Sequence, residues 1–211
     1  MNFFMNPTAS LRLQRLSRLR WGRRLQALGT GVVIGRVKLI APQKLRIGAN
    51  SIIDDGVILN ADGSETSSIV LGARTVIREY AILEAHKGRI TLDDDVFIGA
   101  HCSIYGQGSI TIGAGSLIAT GTSIISSNHS YADPDRPYAD QGESALGVVI
   151  SPNCWIGANC TILDGVVLGN NSVVAAGAVV NRSFEGNVVL GGVPARILKK
   201  FDPDSREWRK P

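Results

Sequence analysis

Aliphatic residues recur at every sixth position over most of the chain. From Ile47 the sequence reads IGANSI, IDDGVI and LNADGS, and related units return from Leu71, Ile98 and Ile156. A period of six fits neither an amphipathic helix, with its period of about 3.6 residues, nor a long strand, with its period of about 2. The pattern predicts short strands joined by tight turns, three to a coil of about 18 residues, with the aliphatic side chains stacked inward.

Two stretches interrupt this pattern. Residues 11–28 are predicted to be helical, with Thr8 or Ser10 as N-cap, and to cover the open edge of the first coil. Their leucines and arginines interleave around the helix, so contact with a membrane surface is the alternative. Residues 126–147 are polar, with two prolines and two tyrosines, and predict an inserted loop of the kind that carries function on a rigid scaffold. The predicted division is a cap over 1–30, a repeat domain over 31–200 and a tail over 201–211.

Composition and charge narrow the class of protein. The 211 residues are 44% hydrophobic and only 6% aromatic, with 24 glycines, which excludes disorder and suits a backbone that turns often. No apolar run approaches the ~20 residues of a membrane span, and no secretory signal is evident at the start. Basic residues concentrate at both ends, with six arginines and no acid in 1–30. The acidic body between the ends argues against a nucleic-acid groove along the domain, whereas the ends could meet anionic lipid, a phosphorylated ligand or only solvent.

The three cysteines do not predict a metal site or a disulfide framework. Cys102, Cys154 and Cys160 are an odd number without metal-like spacing. Each takes the place in its repeat that Ser, Ala, Thr or Val takes elsewhere. We interpret them as small core residues of a reduced, cytoplasmic protein.

The repeat resembles that of the hexapeptide-repeat family, which implies an all-β fold, a single left-handed parallel β-helix with a short N-terminal helical segment. The stretch from SNHSY through WIGANC to GVPARILKK is similar to the maltose, galactoside and polysaccharide O-acetyltransferase branch of that family. This resemblance implies a homotrimer that moves acetyl from acetyl-CoA, without a metal, to a hydroxyl of a saccharide. The acceptor would be a polysaccharide unit or its lipid-linked precursor, and the location the cytoplasm, with or without peripheral contact at the inner membrane face.

The same resemblance assigns the site residues. His129 takes the place of the general base, a task for which an imidazole is suited at neutral pH, and Glu143 takes the place of the carboxylate that orients it. Gly99 falls where the branch has an asparagine that binds the acceptor. Stacking of the repeats instead brings Glu84, His86 and Gln107 near His129, where they either form an acceptor site, together with Asn128 and Tyr131, or are only exposed turn residues.

The predicted acetyl-CoA contacts follow the loop. The pantetheine arm would pass along small corner residues, and basic side chains would meet the nucleotide phosphates, because cations pair with phosphate. The predicted contact residues are Trp155, Ala158, Ala176, Asn181, Arg182, Arg196 and Lys199.

Other functions remain open at this point. An N-acetyltransferase acting on an amino sugar or sugar nucleotide would share the fold and the cofactor, and a non-catalytic solenoid would share the repeat. A zinc-dependent γ-type carbonic anhydrase is excluded, since His86, His101 and His129 do not provide its pair of histidines five residues apart.

Overall fold

The computed structural model describes residues 11–211, with side chains from residue 15 onward. Thr8 and Ser10, the predicted N-cap residues, lie outside the described residues. From residue 27 the chain winds into seven coils of parallel strands, which confirms the predicted β-helix. Each coil contributes one strand to each of three sheets, here called A, B and C in the order in which the chain meets them.

The strands are two to four residues long within the coils. Coils 1 to 3 comprise β1 (Ala27–Leu28), β2 (Val33–Ile34) and β3 (Lys38–Ile40); β4 (Leu45–Ile47), β5 (Ile52–Ile53) and β6 (Ile58–Asn60); and β7 (Ser68–Leu71), β8 (Val76–Ile77) and β9 (Ile82–Glu84). Coils 4 and 5 comprise β10 (Arg89–Leu92), β11 (Phe97–Ile98) and β12 (Ser103–Tyr105); and β13 (Ile110–Ile112), β14 (Leu117–Ile118) and β15 (Ser123–Ile125).

The loop over 126–147 then leaves the solenoid. It contains β16 (Asn128–His129), a 3₁₀ turn (Tyr138–Asp140) and β17 (Glu143–Ser144); a second 3₁₀ turn (Pro42–Lys44) precedes β4. Coils 6 and 7 comprise β18 (Val148–Ile150), β19 (Trp155–Ile156) and β20 (Thr161–Ile162); and β21 (Val167–Leu168), β22 (Val173–Val174) and β23 (Val179–Val180). Strand β24 (Val188–Gly191) pairs with β22 and extends sheet B.

The six-residue period places at least one aliphatic side chain of each strand at the repeat's first position in the core. The first residues of the repeat units are all at most 2% exposed: Ile47, Ile53, Leu59, Leu71, Ile77, Leu83, Leu92, Ile98, Ile104, Ile112, Ile118, Ile124, Ile150, Ile156, Ile162, Leu168, Val174 and Val180. Equivalent residues lie opposite one another in successive coils: Ile98 pairs with Ile118, and Ile118 with Ile156. Burial of this continuous column supplies the main stabilising free energy of the solenoid.

Two of the three corners of each coil matter for function. The BC corner is the turn from sheet B to sheet C, at 99–101, 119–121, 157–159 and 175–177 in coils 4 to 7. The CA corner is the turn from sheet C to sheet A, at 85–88, 106–109, 163–166 and, after coil 7, at 181–183, before Phe184 bridges to Leu168. After coil 5 the loop over 126–147 takes the place of the CA corner.

The N-terminal helix is shorter than the sequence predicts. Helix α1 (Leu11–Trp21) ends seven residues before the expected end at 28, because the backbone from Gln26 onward already bonds to coil 2. The Gln26 N–H donates to the Leu45 carbonyl at 3.0 Å. The solenoid therefore begins at Ala27 rather than at 31.

Helix α1 packs on strand β2 of the first coil. Trp21 and Leu25 are buried in the hydrophobic core. The Ser17 hydroxyl accepts the Ile34 N–H at 3.0 Å, an edge donor that no preceding coil could pair. These contacts support the interpretation of the helix as a cap.

The C-terminal residues are also more ordered than the predicted tail. Strand β25 (Arg196–Asp202) pairs antiparallel with β24, and β26 (Glu207–Arg209) pairs antiparallel with β25. The rings of Phe201 and Trp208 meet edge to face, with centroids 5.4 Å apart. This aromatic contact across the hairpin explains why residues 201–209 continue sheet B.

The three thiols are buried and unpaired, as expected for core residues. Burial raises the pKa of Cys102 to about 11, and it raises the pKa of Cys154 and Cys160 as well. Such thiols are poor nucleophiles and poor metal ligands.

In the part of the chain that the structure describes, no helix is long and apolar enough to cross a bilayer.

Candidate active site

His129 and Glu143 face each other across a two-stranded ladder at the base of the loop. Strands β16 and β17 pair antiparallel, with His129 directly opposite Glu143. The His129 Nε2 lies 3.6 Å from Glu143 Oε1, a distance at which a carboxylate attracts a protonated imidazole although no short hydrogen bond has formed. The imidazole is 61% exposed, so a substrate can reach it. The two residues that the sequence singles out for catalysis are thus brought together.

Gln107 extends this arrangement by one residue. Its side-chain amide donates to Glu143 Oε2, so the carboxylate is held between the amide and the imidazole. Gln107 comes from the CA corner of coil 4, one coil before the loop. The sequence predicts Gln107 as an acceptor contact, and the structure shows that its amide is engaged with Glu143.

The ends of the loop are fixed to neighbouring coils. At its start, the buried Ser126 hydroxyl donates to the Tyr105 carbonyl at 2.9 Å and accepts the Gly108 N–H at 3.0 Å. At its return, Asp164 Oδ1 accepts the N–H groups of Leu146 and Gly147, each at 2.9 Å. The sequence analysis did not identify Asp164. Its place at the CA corner of coil 6, the first such corner after the loop, could have been found from the six-residue register.

The predicted acceptor residues Glu84 and His86 form a separate cluster two coils before the loop. The Glu84 carboxylate lies 3.5 Å from His86 Nε2 and accepts from the Asn60 amide at 3.4 Å. The His86 ring lies 6.1 Å from the ring of Tyr105. This cluster shares the CA corner with Gln107, as the stacking of repeats predicts, but bonds to its own neighbours.

Two shallow depressions flank His129 and Glu143. The first is lined by His129, Ser130, Tyr131, Tyr138 and Ala139, and it is largely apolar. The second is lined by Lys87, Gln107, Ala139, Gly142, Glu143 and Ala145. Tyr131 is 80% exposed, and Asn128 is exposed on strand β16, so both predicted acceptor residues are accessible. Tyr138 and Lys87, which the sequence analysis missed, belong to the same surfaces.

The predicted cofactor residues fall into three groups. Ala158 and Ala176 lie at the BC corner of coils 6 and 7, where the Gly177 N–H donates to the Ala158 carbonyl at 2.9 Å. Arg196 lies opposite Gly191, directly above this corner. This group forms one column, as a shared groove requires.

The other two groups lie elsewhere on the solenoid. Asn181 and Arg182 are at the CA corner of coil 7, on the same side as His129; the Arg182 guanidinium lies 4.9 Å from the Phe184 ring centre. Trp155, which is 55% exposed, is on the outer face of sheet B. Lys199 pairs with Val189 in the extension of that sheet.

Gly99 does not lie beside His129 within the chain. It occupies the BC corner of coil 4, where a Cβ atom would lie 2.5 Å from the Thr120 N atom. Close packing between coils therefore requires glycine there. Counting back by hexapeptides led to a corner different from that of the base.

The BC corner is lined by small residues in coils 4 to 7 and ends at an aromatic stack. Tyr80 and His101 lie face to face, with centroids 5.4 Å apart and ring planes 7° apart. Beyond the stack the corner carries ion pairs, including Arg36 with Asp55 at 2.7 Å. Hydrogen bonds from the Arg36 backbone and side chain lower the pKa of Asp55.

Among residues 11–211 no cluster of three His, Cys, Asp or Glu side chains is arranged to hold a metal ion.

Two repeat models match the chain in separate segments. The bacterial transferase hexapeptide model (six repeats) matches residues 147–182, and the hexapeptide repeat of succinyl-transferase matches residues 89–126. Both segments are therefore similar to the hexapeptide-repeat transferases. The matched segments cover the strands of coils 4 to 7, which include both corners described above.

Curated relatives with both O- and N-acetyltransferase names match part of this chain. The putative lipopolysaccharide biosynthesis O-acetyl transferase WbbJ of Escherichia coli is 44% identical over 63 residues, 30% of this chain and 32% of that protein. The galactoside O-acetyltransferase of the same organism is 36% identical over 61 residues, 29% of this chain and 30% of that protein. A tetrahydropyridine-dicarboxylate N-acetyltransferase of Clostridium perfringens is 44% identical over 59 residues, 28% of this chain and 25% of that protein. The matches thus span about a third or less of each relative.

One solved structure supports the architecture over most of the chain. The N-acyltransferase AntD from Bacillus cereus, solved with dTDP and 3-hydroxybutyryl-CoA, superposes with a TM-score of 0.60. The match covers 90% of each chain at 20% sequence identity. At this identity the likeness concerns the fold alone.

Asp164 should control the order of the loop beside His129. Asp164→Ala removes two hydrogen bonds from backbone N–H groups to a carboxylate, so amide exchange over 142–147 should accelerate roughly tenfold to a hundredfold. Hydrogen–deuterium exchange with mass spectrometry measures this. The matched control is Asp140→Ala, because that carboxylate accepts no hydrogen bond within the described residues. Equal acceleration in both variants would show that Asp164 does not anchor the loop.

Proposed function

We propose that this protein transfers the acetyl group of acetyl-CoA to a hydroxyl of a saccharide, a polysaccharide unit or its lipid-linked precursor. The observation that carries the proposal is the pairing of His129 with Glu143, itself bonded to Gln107. A base, a carboxylate that orients it and an open approach are the elements of general base catalysis at a hydroxyl. The non-catalytic solenoid gives no account of this pairing.

In the proposed reaction His129 removes the acceptor hydroxyl proton as the oxygen attacks the thioester carbon. Glu143 faces Nε2 and stabilises the imidazolium that forms, which leaves Nδ1 for the substrate proton. The C–S bond then breaks, and the thiolate of CoA takes up a proton from the imidazolium. The reaction balances without a metal ion or an oxidant.

The acceptor would lie in the two depressions beside His129. Exposed Tyr131 and Tyr138 offer flat apolar surfaces for a sugar ring, while Glu84 and His86 offer polar contacts on the coils below. Transfer to the amine of an amino sugar is the second candidate, favoured by the Clostridium perfringens relative, which carries an N-acetyltransferase name. The buried, unpaired cysteines suit the reducing cytoplasm that we propose as the location.

We further propose that the site is completed between copies of the chain in a homotrimer. Within one chain, His129 lies at the CA corner, whereas Ala158, Ala176 and Arg196 lie at the BC corner. A full face of sheet C separates these corners, about five residues at ~3.3 Å each, whereas reacting atoms must approach to about 3–3.5 Å. A neighbouring copy that presents its BC corner to His129 removes this mismatch.

The outer face of sheet B provides a surface for such packing. It is apolar along the whole solenoid, a composition typical of surfaces that become buried between subunits. The residues that face outward in successive strands are Val33, Ile52, Phe97, Leu117, Trp155, Val173 and Val189, whereas Val76 in the same column is only 8% exposed.

The first test removes the base. His129→Ala should lower kcat by ~10²–10⁴ and leave the KM for acetyl-CoA nearly unchanged, because the imidazole acts on the acceptor. Activity is measured as the acetyl mass added to a panel of saccharides and amino sugars. The same unfolding temperature in both proteins controls for folding. Turnover at the wild-type rate would contradict the assignment of the base, and acetylation of amines alone would favour the second candidate.

The second test separates the cofactor phosphates from the rest of acetyl-CoA. Replacing Arg196 and Lys199 by Ala should raise the KM for acetyl-CoA about tenfold, more at low than at high salt because the attraction is screened. Acetyl-pantetheine, which lacks those phosphates, should be affected little. The matched control replaces Arg206 and Lys210, two basic residues of the C-terminal segment. It should leave the KM for acetyl-CoA and the KM for acetyl-pantetheine unchanged. An equal rise for both donors would overturn the phosphate role.

A further inference from the structure

The outer side of the N-terminal cap is an exposed surface that combines cations with apolar side chains. One face of helix α1 packs on the solenoid, where Ser17 and Trp21 are 4% and 6% exposed. The opposite side carries Leu16 at 53% and Leu19 at 83% exposure. We call the following exposed residues the basic cap surface: Arg15, Leu16, Arg18, Leu19, Arg20, Arg23 and Arg24.

The cations of this surface are not neutralised by the protein. Within residues 15–211, none of the five arginines takes part in an ion pair with a carboxylate. Residues 1–30 contain no acid at all. Arg20 and Arg24 lie over the Trp21 ring at 4.9 and 5.8 Å, which holds their guanidinium groups beside the helix. A strongly positive field therefore surrounds the two exposed leucines.

We propose that the basic cap surface docks on a membrane rich in anionic phospholipid. Arginines attract the phosphate groups, and the leucines between them can insert among the acyl chains; such paired weak signals give stable, reversible attachment. Nucleic acid would use the arginines but would leave the exposed Leu16 and Leu19 without a role. The inference stands apart from the proposed catalysis, because none of these residues belongs to the candidate site.

The test uses the full-length protein and sedimentation with vesicles. Vesicles of phosphatidylglycerol mixed with phosphatidylcholine should retain the protein, whereas vesicles of phosphatidylcholine alone should not. High salt should weaken retention, because the Debye length shortens. Equal binding to both vesicle types, or no binding to either, would overturn the proposal.

Paired variants separate the two contributions. Arg15→Gln with Arg18→Gln should lower the vesicle partition coefficient roughly 10- to 30-fold, because each cation near an anionic surface contributes about fivefold to binding. Leu16→Ser with Leu19→Ser keeps the net charge and should lower it at least about fivefold. The matched control, Arg206→Gln with Lys210→Gln, removes the same charge from the C-terminal segment and should change it less than about twofold.

Three outcomes would contradict docking by this surface. The first is an equal fall in the partition coefficient of the Arg206→Gln, Lys210→Gln control. The second is wild-type binding by the Leu16→Ser, Leu19→Ser variant. The third is a competition experiment in which duplex DNA removes the protein from vesicles more effectively than added phosphatidylglycerol vesicles do. The substituted side chains are exposed, and unchanged unfolding temperatures confirm that the variants fold. Unchanged KM for acetyl-CoA in the cap variants keeps this test distinct from that of the proposed reaction.

Discussion

The structure depends on the close stacking of equivalent corners from coil to coil. Each six-residue unit returns an aliphatic side chain to the interior, and the corner that follows must be small enough for the next coil to lie against it. A Cβ atom on Gly157 would lie 2.6 Å from the Ala176 N atom, which shows how little room a corner has. Because the corners cannot move independently, any chemistry on this scaffold is confined to the columns that they form and to insertions that leave it.

That constraint explains the shape of the candidate site. The loop over 126–147 is the longest departure from the register, and it places His129 outside the solenoid where its imidazole can be reached. Ser126 and Asp164 hold the loop to the coils on either side, so that a rigid framework supports an exposed pair of side chains. The BC corner, by contrast, carries small residues such as Ala158, Ala176 and Gly177, where we propose that the pantetheine arm lies. By the proposed assignment, the base and the cofactor groove lie at two different corners.

The periodic part of the fold could be predicted from the sequence, because burial alone determines which residue of each unit points inward. The pairing of His129 with Glu143 was also accessible, although only through resemblance to a known family. The end of helix α1 and the C-terminal hairpin were not, since long-range pairing with coil 2 and the contact of Phe201 with Trp208 decide them. Gly99 and Gln107 show the same limit: a count along the chain gives the coil, whereas the corner and the bonded neighbour depend on three-dimensional stacking.

Mixing two inactive variants tests directly whether the site is shared between copies of the chain. His129→Ala removes the base, and Ala158→Trp fills the BC corner, so homotrimers of either chain should be inactive. Co-refolded mixtures should recover acetyl transfer at roughly a quarter of the sites, where the intact base of one chain meets the intact corner of another. Mixtures that stay inactive, although they assemble into trimers, would show that base and cofactor meet within one chain and would contradict the account.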